Sequence, residues 1–591
     1  MMNLTKFINE VDEIAKKYDK EKLLQIIHEV ARTLPESSRN DFIQMIKNVE
    51  KSGKVSSKQK NQSLFKQQYE HWSGILHALE EGEKCLLEEY NEEYDDWYNS
   101  SVDEILYEDP DEIGEDLDGV CKFIHTCTDA EEYQYAMEIG RRFFALAIQT
   151  DGEYGGAYVE LHEMKHNGFL HADLRQVAMD TMYASYMYEK PDEVPDALYE
   201  IFSNAEITAD IKDLKLQNLM QYADADLKDF DIFLKDWINY LGAIPGRLAE
   251  QLYTEALELT NDIDTKIENA QKFVHTHPGL YKKLLEDGEL NPKKALEVGA
   301  DGVKRISDKL IIRSEVALKT AEYAITVNAD RSLIEKYYVE AFRSDTNAVN
   351  YLRAFLNSAN QDICRQELKE IYSAYIRRGG RYSGYYDYGS MRVNELAENE
   401  PGKNMVYVLR LLGGEFMEVL RLAVSEKDAL GWSATFMKQG LAFFLFYLSD
   451  GKNLGKGISE MAKITRYVFG FDIAAYSKGQ KKIVAKDEMS FFTDIFIKWK
   501  KETEIGESDR EKILRHIEKQ MEKRVAGIMD ANRRKYYGEC ASYIAAIGEI
   551  REYLGERGGK QMFMSRYAAE YPRRSAFRTE LQNYGWVKRR K

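Results

Sequence analysis

His162-Glu163-Met164-Lys165-His166 fits the pattern H-E-x-x-H. On a helix, residues four apart share a face, so both imidazoles could hold Zn²⁺ while Glu163 activates a bound water as general base. A third ligand would have to come from His171, Glu189 or Glu193, and nothing in the sequence selects among them. Charges at Glu160 and Lys165, and the lack of a strand pattern ahead of the helix, favour ordinary polar residues on a solvated helix face. A second constellation, Cys121, His125 and Cys127, offers three zinc donors where a structural site takes four. Cys121 falls where a helix core residue is expected, so packing is the plainer reading. A third lies in IRRGGRYSGYYDYGSMR, where Arg377, Arg378 and Arg381 interleave with Tyr382, Tyr385, Tyr386 and Tyr388. Single-strand RNA binders mix cations and aromatics in this way, and the basic run at 588–591 adds to the pattern. A loop tethered between helices has the same composition.

The elements that must position these groups read as helices. From about residue 67 the chain runs in amphipathic stretches of period 3.6 joined by short polar turns. Ala136, Ile139, Phe143 and Ala147 form one such face; Leu248, Leu252, Ala256 and Leu259 form another. Leu318, Ala321 and Ile325 repeat it, followed by Ile334, Tyr337, Tyr338, Ala341 and Phe342. Near the end, Leu514, Ile517, Met521, Val525 and Ile528 keep a heptad spacing behind a capping box expected at Ser508 and Glu511. Paired helices at roughly 30 to 45 residue spacing predict a solenoid whose hairpins bury their apolar faces against one another.

Composition agrees. Nine prolines in 591 residues, none between Pro401 and Pro572, suit helices, where an internal proline costs about 3 kcal/mol. The net charge of -18 disfavours the whole chain as a ligand for the phosphate backbone. No apolar leader opens the sequence, and the run around Leu441 to Leu448 is too short to cross a bilayer. Cys85, Cys121, Cys127, Cys364 and Cys540 are an odd, scattered set that suits reduced thiols and hence the cytoplasm. Walker-type, dinucleotide-type and G-x-S-x-G patterns are missing.

Three phrases carry a resemblance: AFRSDTNAVNYLRAF at 341–355, KDALGWSATFMKQGLAFFLFYLSDGK at 427–452, and the ending at 543–586 with its Pro572-Arg573-Arg574. Together with the Gly431-Trp432-Ser433 turn, they resemble the helical-repeat region of bacterial proteins that carry an N-terminal SWIM-type zinc finger. The finger needs a C-x-C pair followed by C-x-H, and this chain has none, so its zinc and nucleic-acid roles do not transfer. The resemblance implies a tetratricopeptide-like solenoid.

The expectation is therefore an all-α chain. Residues 1–50 form a small helical segment with a stripe of Leu23, Leu24, Ile26, Ile27 and Val30, and 51–66 a linker. A helical-repeat array follows over 67–375, a Gly/Tyr/Arg-rich insertion over 376–402 and a second helical-repeat region over 403–591. A non-enzymatic protein-binding scaffold, with no cofactor and a polypeptide partner, is the function this organisation points to. A zinc hydrolase on His162, Glu163 and His166 and a nucleic-acid factor on the Arg/Tyr loop and basic end are the alternatives.

Overall fold

A computed structural model describes residues 14–33, 43, 57–90, 105–152, 157–207, 211, 213–223, 227–260, 262–378, 396–425, 436–451, 454–481, 483 and 487–588. Of the described residues, 72% are helix and 3% strand, so the all-α class holds. No described helix is long and apolar enough to cross a membrane. Two compact units divide it, Met1–Asn261 and Asp262–Lys591.

The first unit runs α1 (Lys20–Thr33), α2 (Ser57–Glu80), β1 (Leu87–Tyr90), β2 (Ile105–Glu108), α3 (Ile113–Asp129) and α4 (Tyr133–Phe144). Then come β3 (Ile148–Gln149), β4 (Tyr158–Val159), α5 (Leu161–His166), α6 (Leu174–Tyr188) and α7 (Val194–Ile207). It closes with α8 (Leu216–Tyr222), α9 (Phe230–Ala243) and α10 (Arg247–Leu259). Helix α2 starts at Ser57, so most of the segment expected as a linker is helical. Packing follows chain order: α3 meets α4, α4 meets α6, α6 meets α7, and α9 lies on both α7 and α10. Caps explain several boundaries. The Asp173 carboxylate accepts from the backbone N–H of Arg175 at 3.0 Å, satisfying a donor that the first turn of α6 leaves unpaired. Helix α4 stops at Phe144, and Ala147, expected on its apolar face, is exposed ahead of β3.

Two small ladders lie among the helices of the first unit. β1 pairs antiparallel with β2, Leu87 opposite Glu108, and β3 with β4, Ile148 opposite Val159.

The second unit begins with α11 (Ile263–Lys272), α12 (Gly279–Glu286), α13 (Pro292–Arg305), α14 (Ile312–Thr326), α15 (Arg331–Ser344), α16 (Ala348–Asn357) and α17 (Gln361–Arg377). It continues with α18 (Lys403–Leu412), α19 (Phe416–Ser425), α20 (Phe436–Leu448), α21 (Lys456–Val468), α22 (Ile473–Ser477) and α23 (Glu488–Lys501). The last helices are α24 (Glu507–Asp530), α25 (Tyr537–Tyr553), α26 (Gly559–Glu570) and α27 (Ser575–Asn583). From α12 to α16 each helix packs on the next. Beyond that, α16 also meets α22 and α23, and α25 is surrounded by α20, α21, α24, α26 and α27. Ile544, Ala545, Ala546 and Ile547 are fully buried, as a helix packed on all sides requires. The α21 crossing is close because residue 457 is glycine: a Cβ there would lie 2.3 Å from the Ala546 backbone nitrogen.

Helix α24 begins at Glu507 after Gly506, which places Ser508 inside the first turn, and no side chain caps the helix. The capping box expected at Ser508 and Glu511 is not formed. The stripe behind it is buried at Ile517, Met521, Val525 and Ile528.

Candidate functional site

Strand β4 leads into α5, which holds H-E-x-x-H, so a strand does precede that helix. Leu161 and Met164 are buried and fix which side of α5 faces the core. His162 is left half-buried and His166 exposed. The Glu163 carboxylate is engaged locally. Its Oε2 accepts from the Glu160 backbone N–H at 2.9 Å, half of a capping box that starts the helix. His162 Nδ1 stands 3.2 Å from Glu160 Oε2. The proposed third ligands have other partners: His171 lies 3.1 Å from Asp118, Glu189 lies 3.4 Å from Arg141, and Glu193 lies 2.9 Å from Lys190. Among the described residues no group of three or more His, Cys, Asp or Glu is placed to hold a metal ion.

Cys121 and Cys127 are buried in α3, and burial pushes both thiols well above the usual thiol range. A thiol held protonated is a poor metal ligand and a poor nucleophile. His125 goes to carboxylates: its Nδ1 is 3.0 Å from Asp180 Oδ2 and its Nε2 is 3.6 Å from Asp129 Oδ2.

Asp180 is the feature that motif reading missed. It sits in α6 with no exposed surface and gathers the Tyr222 hydroxyl, the Gln176 amide at 3.2 Å and the His125 imidazole. These groups belong to α3, α6 and α8, so one carboxylate ties three helices. The Tyr183 ring packs between Tyr133 and Tyr222, at 5.8 and 5.6 Å between centroids. Burial raises the Asp180 pKa, and the bonds from Tyr222 and His125 offset part of that rise. The available signal was a lone acid between Val177, Ala178, Met179 and Met182 on a helix of otherwise apolar bulk.

The sign of the pH effect follows. Above the ordinary carboxylate range the unfolded chain has lost this proton while the folded chain still holds it. Stability from this group is therefore present at low pH and lost as pH rises through the raised folded value. Urea unfolding between pH 3.5 and 6 checks this: the gap in stability between Asp180→Asn and the natural protein shifts in favour of the asparagine variant as pH rises. The limiting slope is about 1.4 kcal/mol per pH unit. A gap constant with pH contradicts the assignment.

In the second unit, Arg377 ends α17 and Arg378 lies 4.0 Å from Asp308. Arg381, Tyr382, Tyr385, Tyr386 and Tyr388 lie outside the described residues, as do Gly431, Trp432, Ser433 and the end of the basic run beyond Lys588. From the Pro572-Arg573-Arg574 segment, Arg574 donates to the Met529 carbonyl at 2.7 Å and to Asn532 Oδ1 at 2.6 Å, and so caps the end of α24. Compared with known proteins, the chain matches no family model and no curated protein.

Proposed function

We propose that this chain is a non-enzymatic protein-binding scaffold, a degenerate tetratricopeptide-like array of helical hairpins working in the cytoplasm on a polypeptide partner. The observation that carries the reading is the apolar stripe of α1. Leu24, Ile26, Ile27 and Val30 are each 41–45% exposed on a helix whose other face is charged. Apolar side chains grouped on one exposed face gain free energy when a partner covers them. The chain-order packing of α3 to α7 and of α12 to α16 supports an array that grows by adding units. The resemblance to the helical-repeat region of SWIM-finger proteins points the same way.

The test uses Ile26→Ser with Ile27→Ser in the full chain, tagged and isolated from the cells that make it. Both side chains are already half in water, so stability changes by less than about 1 kcal/mol. Partner affinity falls roughly 30-fold, about 2 kcal/mol for two apolar side chains no longer covered. A turnover by the purified protein that His162→Ala abolishes would overturn the reading.

A further inference from the structure

The sequence holds one Asn-Gly pair, Asn167-Gly168, directly after the H-E-x-x-H segment. Glycine has no Cβ to shield its backbone nitrogen, so that nitrogen can reach the side-chain carbon of the asparagine before it. Such a pair is the one most open to deamidation. Both residues are exposed, at the end of α5.

The folded turn keeps both reacting groups occupied. The Gly168 N–H donates to the Lys165 carbonyl at 3.1 Å, and Asn167 Nδ2 donates to the Glu163 carbonyl at 2.9 Å. Gly168 turns with φ 79°, and the N–H groups of Phe169 and Leu170 both donate to the Met164 carbonyl, so the helix closes on a glycine C-cap. Attack by the Gly168 nitrogen has to wait until this turn opens. The helix is six residues long, buries only Leu161 and Met164, and starts on the bond from the Glu160 N–H to Glu163. Its opening is therefore a local event that leaves the longer helices in place.

We propose that Asn167 is a site of spontaneous deamidation, with the last turn of α5 as the gate that sets its rate. When the turn opens, the Gly168 nitrogen gives its proton to solvent and bonds to Asn167 Cγ, the Cγ–Nδ2 bond breaks, and ammonia leaves. One water then opens the succinimide at either carbonyl, giving aspartate or isoaspartate. Neither product restores the cap. A carboxylate at position 167 has no N–H for the Glu163 carbonyl and sets negative charge against the carbonyl end of the helix, while isoaspartate adds a backbone carbon to the turn. The change loosens the segment that carries His162 and His166.

The experiment incubates the full chain at about 37 °C and pH 8 in water enriched in heavy oxygen, then maps its peptides by mass spectrometry. Only amides lost during the incubation carry the label. Asn328 and Asn532 serve as internal comparisons, because both are exposed just past helix ends with positive φ and are followed by Ala329 and Arg533. Asn167 takes up label faster than either by roughly tenfold or more. Equal rates at the three positions overturn the proposal. The gate has its own readout. Glu163→Ala removes the bond that starts α5 and speeds labelling of Asn167 about fivefold, the usual effect of a lost helix cap on the open fraction, and the urea-unfolded chain reacts faster still. One common rate in the natural chain, in Glu163→Ala and in urea would show that the turn gates nothing, and would overturn the proposal as well.

Discussion

Replacing Arg353 with alanine lowers the stability of the second unit by about 4 kcal/mol. Arg353 is 1% exposed, among the most deeply buried of the large side chains. Its Nε donates to the Tyr476 carbonyl at 3.1 Å, and its two terminal nitrogens donate to the Ala475 carbonyl and the Asn350 side chain. The guanidinium also lies 6.0 Å from the Tyr476 ring centroid. Burial pushes its pKa down to about 10, which still leaves it charged at neutral pH. It therefore joins α16 to the end of α22 by charge-assisted bonds to carbonyls. Alanine removes those bonds, leaves buried acceptors without donors and opens a void. The relieved cost of burying a cation offsets part of this. Arg353→Met keeps much of the volume and loses less, about 2 kcal/mol, while Arg353→Lys keeps the charge but reaches fewer acceptors. A lower urea midpoint with unchanged slope checks the series. A midpoint equal to that of the natural protein in Arg353→Ala contradicts the assigned role.

Trp499→Ala costs about 3–5 kcal/mol in the same unit. The indole is fully buried and donates to the Leu412 carbonyl at 3.0 Å, which fixes α23 against the end of α18. Around it lie Phe496 at 5.3 Å, Phe443 at 5.9 Å and Tyr447 at 5.9 Å between ring centroids. Phe446 stacks on Phe496 at 4.3 Å, so the cluster continues between α20 and α23. Edge and stacked ring pairs contribute about 0.5–1.5 kcal/mol each beyond area burial. Trp499→Phe keeps most of these and loses mainly the bond to Leu412, about 1–2 kcal/mol. Near-UV circular dichroism should lose intensity in the alanine variant, and an unchanged urea midpoint would show that the cluster relaxes to fill the space.

The helices were legible because their apolar period is long and repeated. Leu514, Ile517, Met521, Val525 and Ile528 share one face by their spacing, and all but the half-buried Leu514 are buried. Gln520 and Arg524 are buried on the same helix and escaped, since a polar residue reveals its partner only in three dimensions. Arg524 pairs with Glu539 at 2.5 Å across the turn into α25. The β3–β4 ladder escaped because two residues are too short to display a period. Arg353 stands in plain view inside an apolar stretch, yet two of its three acceptors, the Ala475 and Tyr476 carbonyls, lie more than 120 residues away.

The chemical motifs say little about their partners for a related reason. H-E-x-x-H specifies two imidazoles on one helix face and says nothing about the carboxylate between them. Here the short helix takes Glu163 for its own cap. His125 stands close in sequence to two cysteines, while its nearest carboxylate is Asp180, 55 residues on. A buried acid on an apolar helix is the kind of local conflict that marks a tie or a site, and its type alone does not say which partners resolve it.

Native mass spectrometry of the full chain taken from its own cells tests the scaffold account most directly. The account predicts the 68.5 kDa chain together with a stoichiometric polypeptide that is lost from the Ile26→Ser, Ile27→Ser variant. A chain carrying one zinc ion and no polypeptide would contradict it.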